Sequence, residues 1–187
     1  MKIDKKYFEE NGYLVLPNIV SKITLSKLNK NADQMISDFK KGINRRQSSN
    51  NNRKKHGDIS KNGKIFFGNQ CEYYPDINAY AKGKFVKKIV SKLLGNKIYL
   101  FNEQLVNKNP NTPSSFSWHQ DSGYIHFKHK PYVSIWLALT ETNEKNGALS
   151  IIPTNLKKTK SAKLHIWQNK SKDLGIKVNE KKAIQLC

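Results

Sequence analysis

The chain has 187 residues, 37% hydrophobic and 10% aromatic, enough for one domain with a real core and too few for two of comfortable size. It begins without an apolar leader and holds no apolar run near the roughly 18 residues of a membrane span, so a cytoplasmic protein away from membranes is expected. The net charge of +20 is carried by lysines spread along the chain, with arginine only at Arg45, Arg46 and Arg53; base readout favours arginine, so nucleic acid is not the expected partner.

In chain order, Asp4 is placed to cap a short helix through Asn11, and Gly12 ends it. YLVLP follows as a brief strand stopped by Pro17. Ser21 caps a longer amphipathic helix with Leu28, Ala32, Met35 and Phe39 at helical spacing, and Gly42 closes it. The basic run from Lys40 to Asp58 is rich in Ser and Asn and reads as a loop. KIFFG then looks like a strand, and Phe85, Ile89, Leu93 and Leu94 mark a helix ending at Gly95.

From residue 96 the period turns extended. KIYLFNEQLVNK, VSIWLALTE, ALSIIP and AIQLC read as strands, separated by turns at Asn109-Pro110, Thr112-Pro113, Asn146-Gly147 and Pro153. Helices first and strands later predict a mainly β, α+β chain: a single domain over 1–187, with 1–95 as support and 96–187 as an antiparallel sandwich or small barrel. Cys71 and Cys187 are far apart and are expected to be free thiols.

The chemistry concentrates in SFSWHQDSGY. On a strand, residues i and i+2 share a face, so His119 and Asp121 would project together and offer an imidazole nitrogen and a carboxylate oxygen to one metal ion. With a third ligand they would form the two-His, one-carboxylate triad that leaves open positions on Fe(II). The same residues also fit a capping aspartate beside a surface histidine. A zinc site from His119, His126 and His129 is a further arrangement, but HFKH would be suited to it only on a helix, and Gly123 and Pro131 argue for a loop.

Several stretches in order resemble the phytanoyl-CoA dioxygenase family of Fe(II)- and 2-oxoglutarate-dependent oxygenases. FEENGYLVLPNIVS is similar to its N-terminal signature, LFNEQLVNKNPNTPSSFSWHQDSGY to its strand, loop and His-Gln-Asp block, and YVSIWLALTETNEKNGALSIIPTNLKK to its Trp strand, Asn-Gly turn and Pro-containing loop. The resemblance implies a double-stranded β-helix, the cupin-like jelly roll, and a hydroxylase of a small molecule, with ascorbate as the assay reductant. It implies His119 and Asp121 as iron ligands, and Trp136, Gln104 and Lys64 as contacts of 2-oxoglutarate. Phe116, Trp118, Tyr124 and Phe127 around the block suggest an aromatic-lined pocket.

The chain also departs from that pattern. No arginine follows Arg53 to clamp the far carboxylate of 2-oxoglutarate, and His165 falls too early to match the distal iron histidine. The expectation is therefore a roll incomplete at its C-terminus, weakly active or inactive as it stands, from a shortened gene or completed by another chain. PTNLK carries Thr154 where the family has glycine, which would strain a turn needing positive φ. A non-catalytic binding protein that uses its basic surface on an anionic ligand or nucleic acid is the alternative reading.

Overall fold

The computed structural model describes residues 2–43, 58–59, 64–108, 115–125, 127, 129, 132–159, 161–171 and 173–186. The turns at Asn109-Pro110 and Thr112-Pro113, most of the basic run, and His126 lie outside them.

Local capping sets the helices. In α1 (Lys5–Asn11) the Asp4 carboxylate accepts the Tyr7 amide at 2.9 Å, and Gly12 ends the helix in the left-handed region at φ 78°. In α2 (Lys22–Lys40) Ser21 accepts the Thr24 amide at 3.1 Å. Helix α3 (Pro75–Ala81) has no counterpart among the expected elements; Pro75 opens its first turn without a side-chain cap. Helix α4 (Lys84–Leu94) stops at Gly95, as its sequence predicts.

The chain divides into two compact units, Val20–Ser115 and Met1–Ile19 with Phe116–Cys187. The first holds an antiparallel three-stranded sheet in the order β1 (Asp58–Ile59), β2 (Lys64–Gly68), β3 (Gln104–Lys108). Phe67 pairs with Leu105 across the β2–β3 ladder, and that face meets Met35 of α2 and Tyr74 just before α3 to form the core. Phe39 sets its ring edge-on to Phe67, with centroids 5.9 Å apart. Asp38 is buried there, accepting the Tyr74 hydroxyl at 3.1 Å and the Gln34 amide at 2.6 Å, which offsets the desolvation of its charge.

The second unit is built differently. Its buried described residues are Gly123, His165, Ser171 and Gly175, so hydrogen bonds and close backbone approach hold it where the first unit uses apolar burial. Strand β4 (Leu149–Ile151) pairs antiparallel with β7 (Ile184–Leu186), and β5 (Ile166–Gln168) with β6 (Asp173–Gly175) in a hairpin. Helix α1 is tied to the 154–157 loop: Thr154 N donates to Asn11 O at 2.8 Å, Leu156 N to Glu9 O at 2.8 Å, and Lys157 lies 3.4 Å from Glu9.

Several expected strands are corrected. YLVLP, residues 97–103 and VSIWLALTE are apolar and extended in pattern but lie in no ladder among the described residues. A strand exists by virtue of the partner it pairs with, which a local pattern cannot supply. Thr154 does not take the positive φ that would strain it: non-glycine positive φ is confined, among the described residues, to Asn18 and Asn69, a residue type that tolerates it. No described helix is long and apolar enough to cross a membrane.

Candidate metal centre

The segment at His119 is not the expected strand. Gln120 is extended, at φ −121° and ψ 125°, and Asp121 opens a 3-10 turn running to Tyr124. One extended residue between them is enough to send the two flanking side chains to the same side. His119 Nε2 stands 3.6 Å from Asp121 Oδ1, so the pair foreseen from the sequence does come together.

Each member is aimed by a neighbour. His119 Nδ1 lies 2.6 Å from the carbonyl oxygen of Ser117, which can only accept, so Nδ1 carries a proton, and in the neutral ring Nε2 presents its lone pair. At 3.6 Å no hydrogen bond joins Nε2 to Asp121. The other carboxylate oxygen, Oδ2, accepts the Ser134 hydroxyl, which turns Oδ1 towards the imidazole. Two ligands about 2.1 Å from a shared first-row ion and at right angles lie about 3 Å apart, so a small side-chain rotation suits this pair to one ion. The donor chemistry therefore fits as two corners of a metal site. Among the described residues no group of three His, Cys, Asp or Glu forms a fuller one.

Residues 163–171 and 173–180 back this pair. Gln120 N donates to His165 Nε2 at 3.2 Å, and Lys163 N donates to Gln120 Oε1 at 2.8 Å. Trp118 O accepts Ile176 N at 2.7 Å, and the Trp118 indole donates to Glu180 at 3.1 Å. The Tyr124 hydroxyl donates to Leu174 O at 3.1 Å. Burial first, then the charges of Asp173 and Asp121, push that phenol up to about 12, so it remains a donor. His165 is buried, its ring edge-on to Tyr124 at 4.3 Å and 6.5 Å from that of His119. Sequence order sets His165 aside as a ligand; its place against the backbone of Gln120 has no local signal.

Trp136 lies in the second unit, 52% exposed, two residues beyond the Ser134 that holds Asp121. Burial and then the Asp121 charge raise the Tyr132 phenol in the same stretch. Lys64 and Gln104 belong to the first unit, where Lys64 faces Lys108 and Gln104 faces Gly68, at opposite ends of one ladder. Phe127, expected near a pocket, is 71% exposed.

A family model described as phytanoyl-CoA dioxygenase matches residues 8–185. The chain belongs to the phytanoyl-CoA dioxygenase family. That family's fold is the cupin jelly roll, whereas the strands described in this chain form three small sheets and no closed roll. Among curated proteins the chain is similar to a probable alpha-ketoglutarate-dependent hypophosphite dioxygenase of Stutzerimonas stutzeri, 27% identical over 43% of this chain and 28% of that protein. It is also similar to a 2-aminoethylphosphonate dioxygenase of uncultured bacterium HF130_AEPn_1, 29% identical over 43% of this chain and 31% of that protein. The matched stretches thus span less than a third of either relative. No solved structure matches the chain significantly.

Proposed function

We propose that the chain is a hydroxylase dependent on Fe(II) and 2-oxoglutarate, in which His119 and Asp121 are two of the metal ligands. The observation that carries this reading is the 3.6 Å approach of His119 Nε2 to a carboxylate oxygen of Asp121, in a chain of the dioxygenase family. Bound Fe(II) would supply the activation of dioxygen, coupling decarboxylation of 2-oxoglutarate to hydroxylation of the substrate. The residues of the chain hold the ion, orient 2-oxoglutarate and the substrate, and keep the Nε2 lone pair available. Trp136, two residues beyond the Ser134 that holds Asp121, is the proposed contact of 2-oxoglutarate. The substrate is a small molecule, and the names of the two relatives make hypophosphite and 2-aminoethylphosphonate the first compounds to try.

Titration with Co(II), a spectroscopic stand-in for Fe(II), tests the reading. The wild type is expected to bind one equivalent, and His119→Ala and Asp121→Ala to lose at least tenfold in affinity. Succinate formed from 2-oxoglutarate in the presence of Fe(II) and ascorbate should fall in parallel. Equal Co(II) affinity in all three proteins would overturn the assignment, and binding of anions that depends on salt but not on metal would put a non-catalytic binding protein in its place.

A further inference from the structure

For His119 to offer Nε2 to a metal, its proton must reside on Nδ1, and the ring must be turned so that Nδ1 faces an acceptor that does not move. That acceptor is the carbonyl oxygen of Ser117, at 2.6 Å. A backbone carbonyl in a stretch without a ladder is only as fixed as the residue carrying it, so the question becomes what holds Ser117.

The answer lies 56 residues further on, in β6. One oxygen of Asp173 accepts the Ser117 hydroxyl at 2.5 Å, and the other faces the Ser117 amide at 3.3 Å. Since that hydroxyl gives its proton to the carboxylate, the neighbouring Ser171 hydroxyl is the donor in its contact with Ser117 Oγ. The next carbonyl, that of Trp118, is held from the same segment by Ile176 N at 2.7 Å. The approach is so close that a β-carbon on Gly175 would fall 2.3 Å from Ser117 Cβ and 2.8 Å from Trp118 O. Asp173 is itself fixed by its register opposite Gln168 in the β5–β6 hairpin.

We propose that Asp173 is a positioning residue: through Ser117 it sets the tautomer and the direction of His119. The proposal rests on the reading of His119 as a metal ligand only for its purpose, because the linkage itself is a property of the metal-free chain.

Two measurements separate these levels. In the metal-free full chain labelled with 15N-histidine, at a pH where imidazole is neutral, the His119 signal is identified by its loss in His119→Gln. The wild type is expected to show the Nδ1-protonated form, and Asp173→Ala to shift towards the Nε2-protonated form. Asp173→Asn keeps a carbonyl acceptor and should restore the wild-type pattern in part. In Co(II) titrations Asp173→Ala should lose about tenfold to a hundredfold in affinity, the usual range for a partner of a metal-bound histidine. A folded Asp173→Ala with the wild-type tautomer overturns the proposal. If that variant does not fold, Ser117→Ala, which keeps the amide contact, decides the matter by the same spectrum: a shifted tautomer supports the linkage and an unchanged one overturns it. A tautomer that responds in a wild type with no affinity for Co(II) supports the linkage and overturns the metal assignment alone.

Discussion

A β-carbon on Gly123 would stand 2.5 Å from Nε2 and 2.9 Å from Cδ2 of His165, and 2.7 Å from the carbonyl oxygen of Lys163. His165 reaches the amide of Gln120 only because position 123 has no side chain. The imidazole could swing aside, but the Lys163 backbone cannot move without shifting the segment that holds Gln120. Gly123→Ala is therefore expected to destabilise the chain by about 1–3 kcal/mol, the usual range for overpacking. Urea unfolding measures this, and a change within a few tenths of a kcal/mol would show that the two segments do not press together.

Gly12 has a related constraint of a different origin. Its φ of 78° is left-handed, and an added β-carbon would meet Thr154 O at 2.6 Å. Gly12→Ala combines the backbone penalty, about 1–2 kcal/mol, with displacement of the loop that α1 holds through Asn11 and Glu9. The expected result is a lower midpoint in thermal unfolding together with loss of protection of the Thr154 and Leu156 amides in hydrogen exchange. Unchanged protection of both would contradict the contact.

The contrast between what the sequence discloses and what it hides follows the range of the forces involved. The ends of α1, α2 and α4 are legible because Asp4, Ser21, Gly12 and Gly95 act within a few residues of themselves. Pro75 followed by Asp76 is an equally local signal for α3, though a short one that periodicity does not reinforce. The strands β2, β4 and β7 are legible too, but apolar runs around Val15 and Trp136 and alternation around Tyr99 also suggest strands that lie in no ladder among the described residues. In the site, His119 and Asp121 stand out as a motif. Their supports do not: His165 acts on Gln120 from 45 residues away and Asp173 on Ser117 from 56. Only the polar stretch between IWQ and DLG hints at the hairpin that delivers them.

Cys71 is buried beside Glu103, whose carboxylate accepts the Cys71 amide at 2.8 Å. Burial, and then the Glu103 charge, push the thiol from 9.0 up to about 11. The folded chain thus keeps its proton where the unfolded chain loses it. This contribution to stability is present below pH 9.0 and is lost as pH rises towards about 11. In a Cys187→Ser background, alkylation of Cys71 at pH 9 should be slow in the native chain and fast in urea. The decline of the melting midpoint across the same window should be shallower after Cys71→Ala. Rapid native alkylation would place the thiol at the surface.

The two faces of β2 and β3 meet different surroundings. Phe67 is fully buried between Phe39, Met35 and Tyr74, whereas Val106, one position along from its partner Leu105, is 38% exposed on the opposite face. A strand alternates strictly, so a register slip of one residue would exchange these environments. Phe67→Ala should cost about 3–5 kcal/mol, the loss of a large buried ring and the cavity it leaves. Val106→Ala should cost well under half of that, since its side chain already meets water in part. Denaturant unfolding of the two variants decides the matter. A larger loss at Val106 than at Phe67 would mean that the ladder carrying Gln104 runs one residue out of this register, with Gln104 turned to the core side.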